Sequence, residues 1–174
     1  MAQTHGTGRW QREDLGSLGA DCVIEEGVLV FNAPHVHLAD GVYLGHRAML
    51  KGDTRGELRI GAGSWIGQDV YMQSAGGIDI GARVGMGPRA MVLTSTHAEA
   101  PPPAAVMDAP LEFAPVTIGE GCDIGIGAIL LPGTTLGPGV QVGAGAVVSG
   151  EFPGGTVIAG VPARVLRERG AEST

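Results

Sequence analysis

His97 is the side chain whose type and setting most favour chemistry, because a neutral imidazole can take a proton near pH 7. It stands in LTSTHAEAPPPAAVMDAPLEFAPVT, a Pro- and Ala-rich stretch unlike the regular sequence on either side. Long irregular excursions from a compact fold are usually functional or disordered. Four prolines from Pro101 to Pro110, with Pro115 where the pattern resumes, restrict this one to a shaped loop. A carboxylate accepting from the second ring nitrogen would fix the tautomer. Glu112, at the far end of the loop, is the candidate, with Glu99 behind it. Other polar groups stand apart: His35, His37 and His46 in FNAPHVHLADGVYLGH, Asp53 in LKGDTRG, and Gln68 with Asp69 in IGQDVYMQS. Outward positions of this kind fit a solvated surface as well as an acceptor site.

The elements that must hold these groups follow a period of six. In IGEGCD IGIGAI LLPGTT LGPGVQ VGAGAV, aliphatic residues fall at Ile118, Ile124, Leu130, Leu136 and Val142, and Val148 continues the series. Four places after each of the first five stands Cys122, Ala128, Thr134, Val140 or Ala146. The frame runs upstream through Leu38, Leu44 and Leu50, then Ile60, Ile66 and Met72, then Ile80, Met86 and Val92, slipping near DTRG and AGGI. A helix would repeat its apolar stripe every three or four residues. Six fits a short extended segment, a turn and another short segment, with the aliphatic residue inward and the small one at a corner. Three units close a triangular turn, and successive turns stack as parallel strands about 4.8 Å apart. The period does not set the hand of the coil, since parallel crossovers are normally right-handed.

Composition agrees. The 174 residues suffice for one domain with a real core. Hydrophobic residues make up 44% but aromatics only 4%, so aliphatic side chains must fill the interior. The 31 glycines call for a regular architecture rather than low complexity. A net charge of −7 argues against general binding to nucleic acid or membrane surfaces, although Arg164, Arg167 and Arg169 cluster where a phosphate could meet them. Cys22 and Cys122 lack metal or redox spacing. The first residues contain no apolar signal region, and no run is long enough to span a membrane, so a cytoplasmic protein is expected.

The unit aliphatic-Gly-x-x-small-x resembles the hexapeptide repeat of the bacterial hexapeptide-transferase superfamily, which includes maltose, galactoside and capsular-sugar O-acetyltransferases. Three stretches carry the resemblance: IDIGARVGMGPRAMVLTSTH, PLEFAPVTIGEGCDIGIGAILLPGTTLG and VGAGAVVSGEFPGGTVIAGVPARVLRER. It implies an all-β, left-handed parallel β-helix with one extruded loop, assembled as a homotrimer with active sites between subunits. The expected organisation is an N-terminal extension over 1–21, the coil over 22–160 with its loop at 95–115, and a short C-terminal helix or tail over 161–174.

The resemblance also implies acetyl-CoA as donor, direct attack by an acceptor hydroxyl, and His97 as general base. An amine acceptor is the alternative, and a non-catalytic scaffold a further one. Pantetheine lying along the coil edge would pass Gly127, Ala128, Gly143, Gly145 and Ala146, small residues that the turns themselves also require. Arg164 sits where relatives place a basic residue near the CoA phosphates, with Pro162 beside it and Arg167 a further candidate. The chain departs from many relatives at Asp123, where they carry Trp. The same scaffold also hosts γ-class carbonic anhydrases, whose zinc needs three histidines. No His follows His97 and none precedes it more closely than His46, so no metal is expected.

Overall fold

The structure is a computed structural model that describes residues 6–171. The coil is a triangular prism with three walls of parallel strands. Wall A stacks Ser17–Leu18, Val36–Leu38, Leu58–Ile60, Ile78–Ile80, Val116–Ile118, Thr135–Leu136 and Glu151–Phe152. Wall B stacks Val23–Ile24, Tyr43–Leu44, Trp65–Ile66, Gly85–Met86, Asp123–Ile124, Gln141–Val142 and Thr156–Gly160. Wall C stacks Leu29–Phe31, Met49–Lys51, Tyr71–Gln73, Met91–Leu93, Ile129–Leu130 and Val147–Val148. The first strand of wall A precedes residue 22, so the coil takes in part of the expected extension.

The period of six is the reason for this shape. Each unit places one aliphatic side chain on the axis: Leu44, Ile66, Met86 and Ile124 in wall B are fully buried, as are Leu50, Met72, Val92 and Leu130 in wall C. Burying each contributes on the order of 1.5–3 kcal/mol. The residue four places on turns inward at the corner, where Ala48, Val70, Ala90, Ala128 and Ala146 form one column. Only a small side chain fits between two converging walls. Cys122 occupies the equivalent place between walls A and B, and burial pushes its thiol up from the ordinary range. Where walls C and A meet, the inward groups are the hydroxyls of Ser74, Thr94 and Thr134, each donating to a backbone carbonyl. No buried side-chain polar atom lacks a partner among the described residues.

The chain ends differently from expectation. Among the described residues, no helix forms after residue 160. The chain reverses after Gly160, and Ala163–Glu168 pairs antiparallel with Thr156–Gly160. A helix of one or two turns has little stability of its own, whereas the last strand of wall B would otherwise leave an open row of amides and carbonyls. Edge pairing wins over the helix propensity of Ala, Leu, Arg and Glu. No helix among the described residues is long and apolar enough to cross a membrane.

Candidate functional site

The coil is broken once at length, between Met91–Leu93 in wall C and Val116–Ile118 in wall A, so the excursion leaves from the C/A corner. Its two arms form a ribbon: Ser95–His97 pairs antiparallel with Leu111–Phe113, matching Ser95 to Phe113, Thr96 to Glu112 and His97 to Leu111. Backbone bonds from Ala114 to Thr94 (3.1 Å) and from Ala98 to Pro110 (2.9 Å) extend the pairing at both ends. At the base of the ribbon, Gln73 clasps both of its first residues. Its Nε2 donates to Ser95 Oγ at 3.1 Å, and its backbone carbonyl accepts from Thr94 Oγ1 at 2.6 Å. Arg55 lies over the Phe113 ring, 4.5 Å from its centroid, and steadies the returning arm.

His97 is held at the outer end of the first arm, half-buried. Its Nδ1 donates to the Ala109 carbonyl at 3.1 Å. A carbonyl only accepts, so the proton sits on Nδ1 and the lone pair on Nε2. This is the tautomer a general base needs. Glu112 does not supply that contact. Opposed to Thr96, it projects from the other face of the ribbon, where Thr96, Glu112, Phe113, Ala114 and Pro132 line a cavity of about 530 Å³. Leu111, which shares the face of His97, lines a smaller cavity of about 200 Å³ with Lys51, Asp53, Arg55 and Gln73. Glu99 is exposed on the loop. Sequence reasoning missed Gln73 and the Ala109 carbonyl.

The residues proposed for the donor gather at another corner. Gly127, Ala128, Gly143, Gly145 and Ala146 lie where wall B turns into wall C. Gly127 and Gly145 both have φ +67°, a left-handed conformation that favours glycine, and an added Cβ would meet nothing within 4 Å at either. The space outside them is open. Ala128 and Ala146 face the core instead, and their amides are used in the turns, donating to Gly125 and Gly143. An added Cβ at Gly143 would sit 2.7 Å from the Ala159 Cβ, and Ala159 is paired with Arg164. Arg164 therefore stands at the C-terminal end of this column, exposed, with Pro162 in the preceding turn and Arg167 further along the strand. Neither arginine makes an ion pair among the described residues.

Within one chain, His97 and the small-residue column thus stand at opposite edges of wall C. On the outer face between them Leu29, Met49, Tyr71, Met91, Ile129 and Val147 form one continuous apolar ladder, beside a second one that reads Phe31, Lys51, Gln73 and Leu93. The corresponding ladder on wall A reads Ser17, His37, Arg59, Asp79, Thr117, Thr135 and Glu151. Of the remaining polar candidates, Asp69 accepts a bidentate pair from Arg47 at 2.8 and 2.9 Å, which holds its carboxyl below the ordinary range. His46 lies 3.5 Å from Glu25, and Trp65 stacks on Tyr43 with centroids 5.5 Å apart. No group of three or more His, Cys, Asp or Glu among the described residues is arranged to hold a metal.

Residues 115–150 match the family described as bacterial transferase hexapeptide (six repeats). The chain is 34% identical over 160 residues to nodulation protein L of Rhizobium leguminosarum bv. viciae, covering 91% of this chain and 80% of that protein. It is 33% identical over 113 residues to a putative colanic acid biosynthesis acetyltransferase of Escherichia coli K12, covering 65% of this chain and 59% of that relative's length. Among solved structures, a maltose O-acetyltransferase from Clostridium difficile 630 superposes with a TM-score of 0.65 at 26% identity, covering 92% of this chain and 73% of that one.

Proposed function

The chain belongs to the bacterial hexapeptide-repeat transferase family of left-handed β-helices, and on that premise we propose that it is an acetyl-CoA-dependent O-acetyltransferase acting on a sugar-like hydroxyl. The observation that carries this reading is the Nδ1–H bond from His97 to Ala109, which leaves Nε2 as an acceptor at the single long break in the coil. An alcohol is a poor nucleophile while protonated. His97 Nε2 takes the hydroxyl proton as the oxygen attacks the thioester carbonyl, and the imidazolium then returns it to the departing CoA sulfur. The Ala109 carbonyl, fixed by the ribbon, keeps the ring in this tautomer through both transfers.

The donor lies along the B/C corner, where the open space outside Gly127 and Gly145 admits the pantetheine arm, and Arg164 meets the phosphates. The working form is a homotrimer. Three prisms whose C walls face a common axis set the C/A edge of one copy against the B/C edge of the next. That arrangement buries the apolar ladder and brings His97 of one copy to the donor column of another. The relatives named above, two of them acetyltransferases by name, support the reaction class.

Acceptor-dependent thiol release from acetyl-CoA, read across a panel of sugars and amino sugars, tests the reading. Release with hydroxyl acceptors, giving a product labile to hydroxylamine, is expected. Release only with amines would move the reading to N-acetylation, and no release with any acceptor would remove it.

A further inference from the structure

A second group of reactive side chains lies outside this site, on the polar outer face of wall A. Ser17 and His37 are neighbouring rungs of its ladder, with Ser17 Oγ 3.1 Å from His37 Nδ1. His37 Nε2 lies 2.6 Å from Glu57 Oε2, and His35 Nδ1 lies 3.2 Å from Glu57 Oε1. The proton assignments follow from the donors available. An ionised carboxylate only accepts, so both imidazole nitrogens facing Glu57 carry hydrogen. The lone pair of a neutral His37 is then on Nδ1, and the Ser17 hydroxyl donates to it. Hydrogen bonds from His35 and then from His37 hold the Glu57 carboxyl below its ordinary range, so the acceptor stays charged.

We propose that Ser17, His37 and Glu57 form a second nucleophilic centre, in which Ser17 takes an acyl group from small activated esters. Nucleophile, base and orienting carboxylate are connected in that order, which is how a serine hydroxyl is activated. Ser17 Oγ attacks the ester carbonyl carbon while its proton passes to His37 Nδ1. The bond from that carbon to the leaving oxygen breaks, and the leaving group takes the proton from His37. Water attacks the resulting acyl-Ser17 ester, again losing a proton to His37, which frees the serine and releases a carboxylic acid.

The surroundings fit a small ester. Ser17, His37, Arg59 and Asp79 line an open trench of about 230 Å³. Arg59 is the rung after His37 and is exposed, a cationic group beside the carbonyl oxygen as it becomes negative. The centre uses neither His97 nor its ribbon, so it stands or falls independently of the CoA-dependent reaction.

The test is incubation of the full chain with p-nitrophenyl acetate in the absence of CoA, following p-nitrophenolate release and locating the acetyl group by peptide mass spectrometry. One acetyl group on Ser17 is expected, in the native chain and equally in His97→Ala. His37→Gln should slow its formation by about 10²-fold or more. Glu57 acts as a positioning residue. Glu57→Gln should slow labelling, and Glu57→Asp, which keeps the acceptor, should restore part of the rate. Circular dichroism confirms that each variant is folded, since all three side chains point outward. Acetylation confined to Lys51, His97 or the N-terminus, or Ser17 labelling that His37→Gln leaves unchanged, would overturn the proposal.

Discussion

Replacing Met91 by Glu separates the assembly from the fold. Met91 is the centre of the apolar ladder on wall C, flanked by Tyr71 and Ile129, and 40% of it is exposed in the single chain. Pointing outward, it contributes little to the coil itself, so the monomer should keep its circular dichroism and lose less than about 0.5 kcal/mol. In a trimer closed around wall C the same position is buried. A carboxylate there has no cationic partner on the ladder, and an unpaired charge at an interface costs about 3–5 kcal/mol. That weakens association by roughly two to four orders of magnitude. Sedimentation velocity at micromolar concentration should show trimer for the native chain and monomer for Met91→Glu. Thiol release should fall with the trimer, because the proposed site joins His97 of one copy to the donor column of another. A variant that stays trimeric, or a monomer with native turnover, refutes this arrangement.

Gln73→Leu removes the side-chain bond to Ser95 at the base of the ribbon, worth about 0.5–1.5 kcal/mol, and keeps the backbone carbonyl that accepts from Thr94. Hydrogen exchange should quicken over residues 95–113, and turnover should drop more than thermal stability does. Ile124→Ala empties a fully buried place on the coil axis and should cost about 2–5 kcal/mol in urea unfolding. Glu57 has a folded pKa below its ordinary value of 4.5. Its stabilising effect is therefore present above that value and disappears as pH falls through the depressed one. The melting-temperature gap between native and Glu57→Gln should be full near pH 6 and close in acid, whereas a gap independent of pH would contradict this.

Much of the coil is written in the spacing of its residues. Ile124 with Ala128 and Val142 with Ala146 declare an inward aliphatic and a corner, because the walls admit nothing else there. The excursion around His97 is legible as an interruption, but its ribbon is not, since Pro- and Ala-rich sequence carries no alternation to announce pairing. The Ala109 carbonyl that fixes the His97 tautomer has no side chain to betray it, so Glu112 looked the better partner. Gln73 reads as one more outward polar residue until the coil brings it beneath Thr94 and Ser95. Ala163–Glu168 favours a helix by local propensity, and only the open edge of wall B makes it a strand. The link between His37 and Glu57 was recoverable, since 20 residues separate them, about one circuit of the coil.

Turnover of His97→Ala with acetyl-CoA and the best acceptor, measured beside CoA affinity by calorimetry, bears most directly on the assignment of the base. A loss of about 10²–10⁴-fold in kcat is expected, with CoA binding close to native. A native rate in that variant would contradict the assignment.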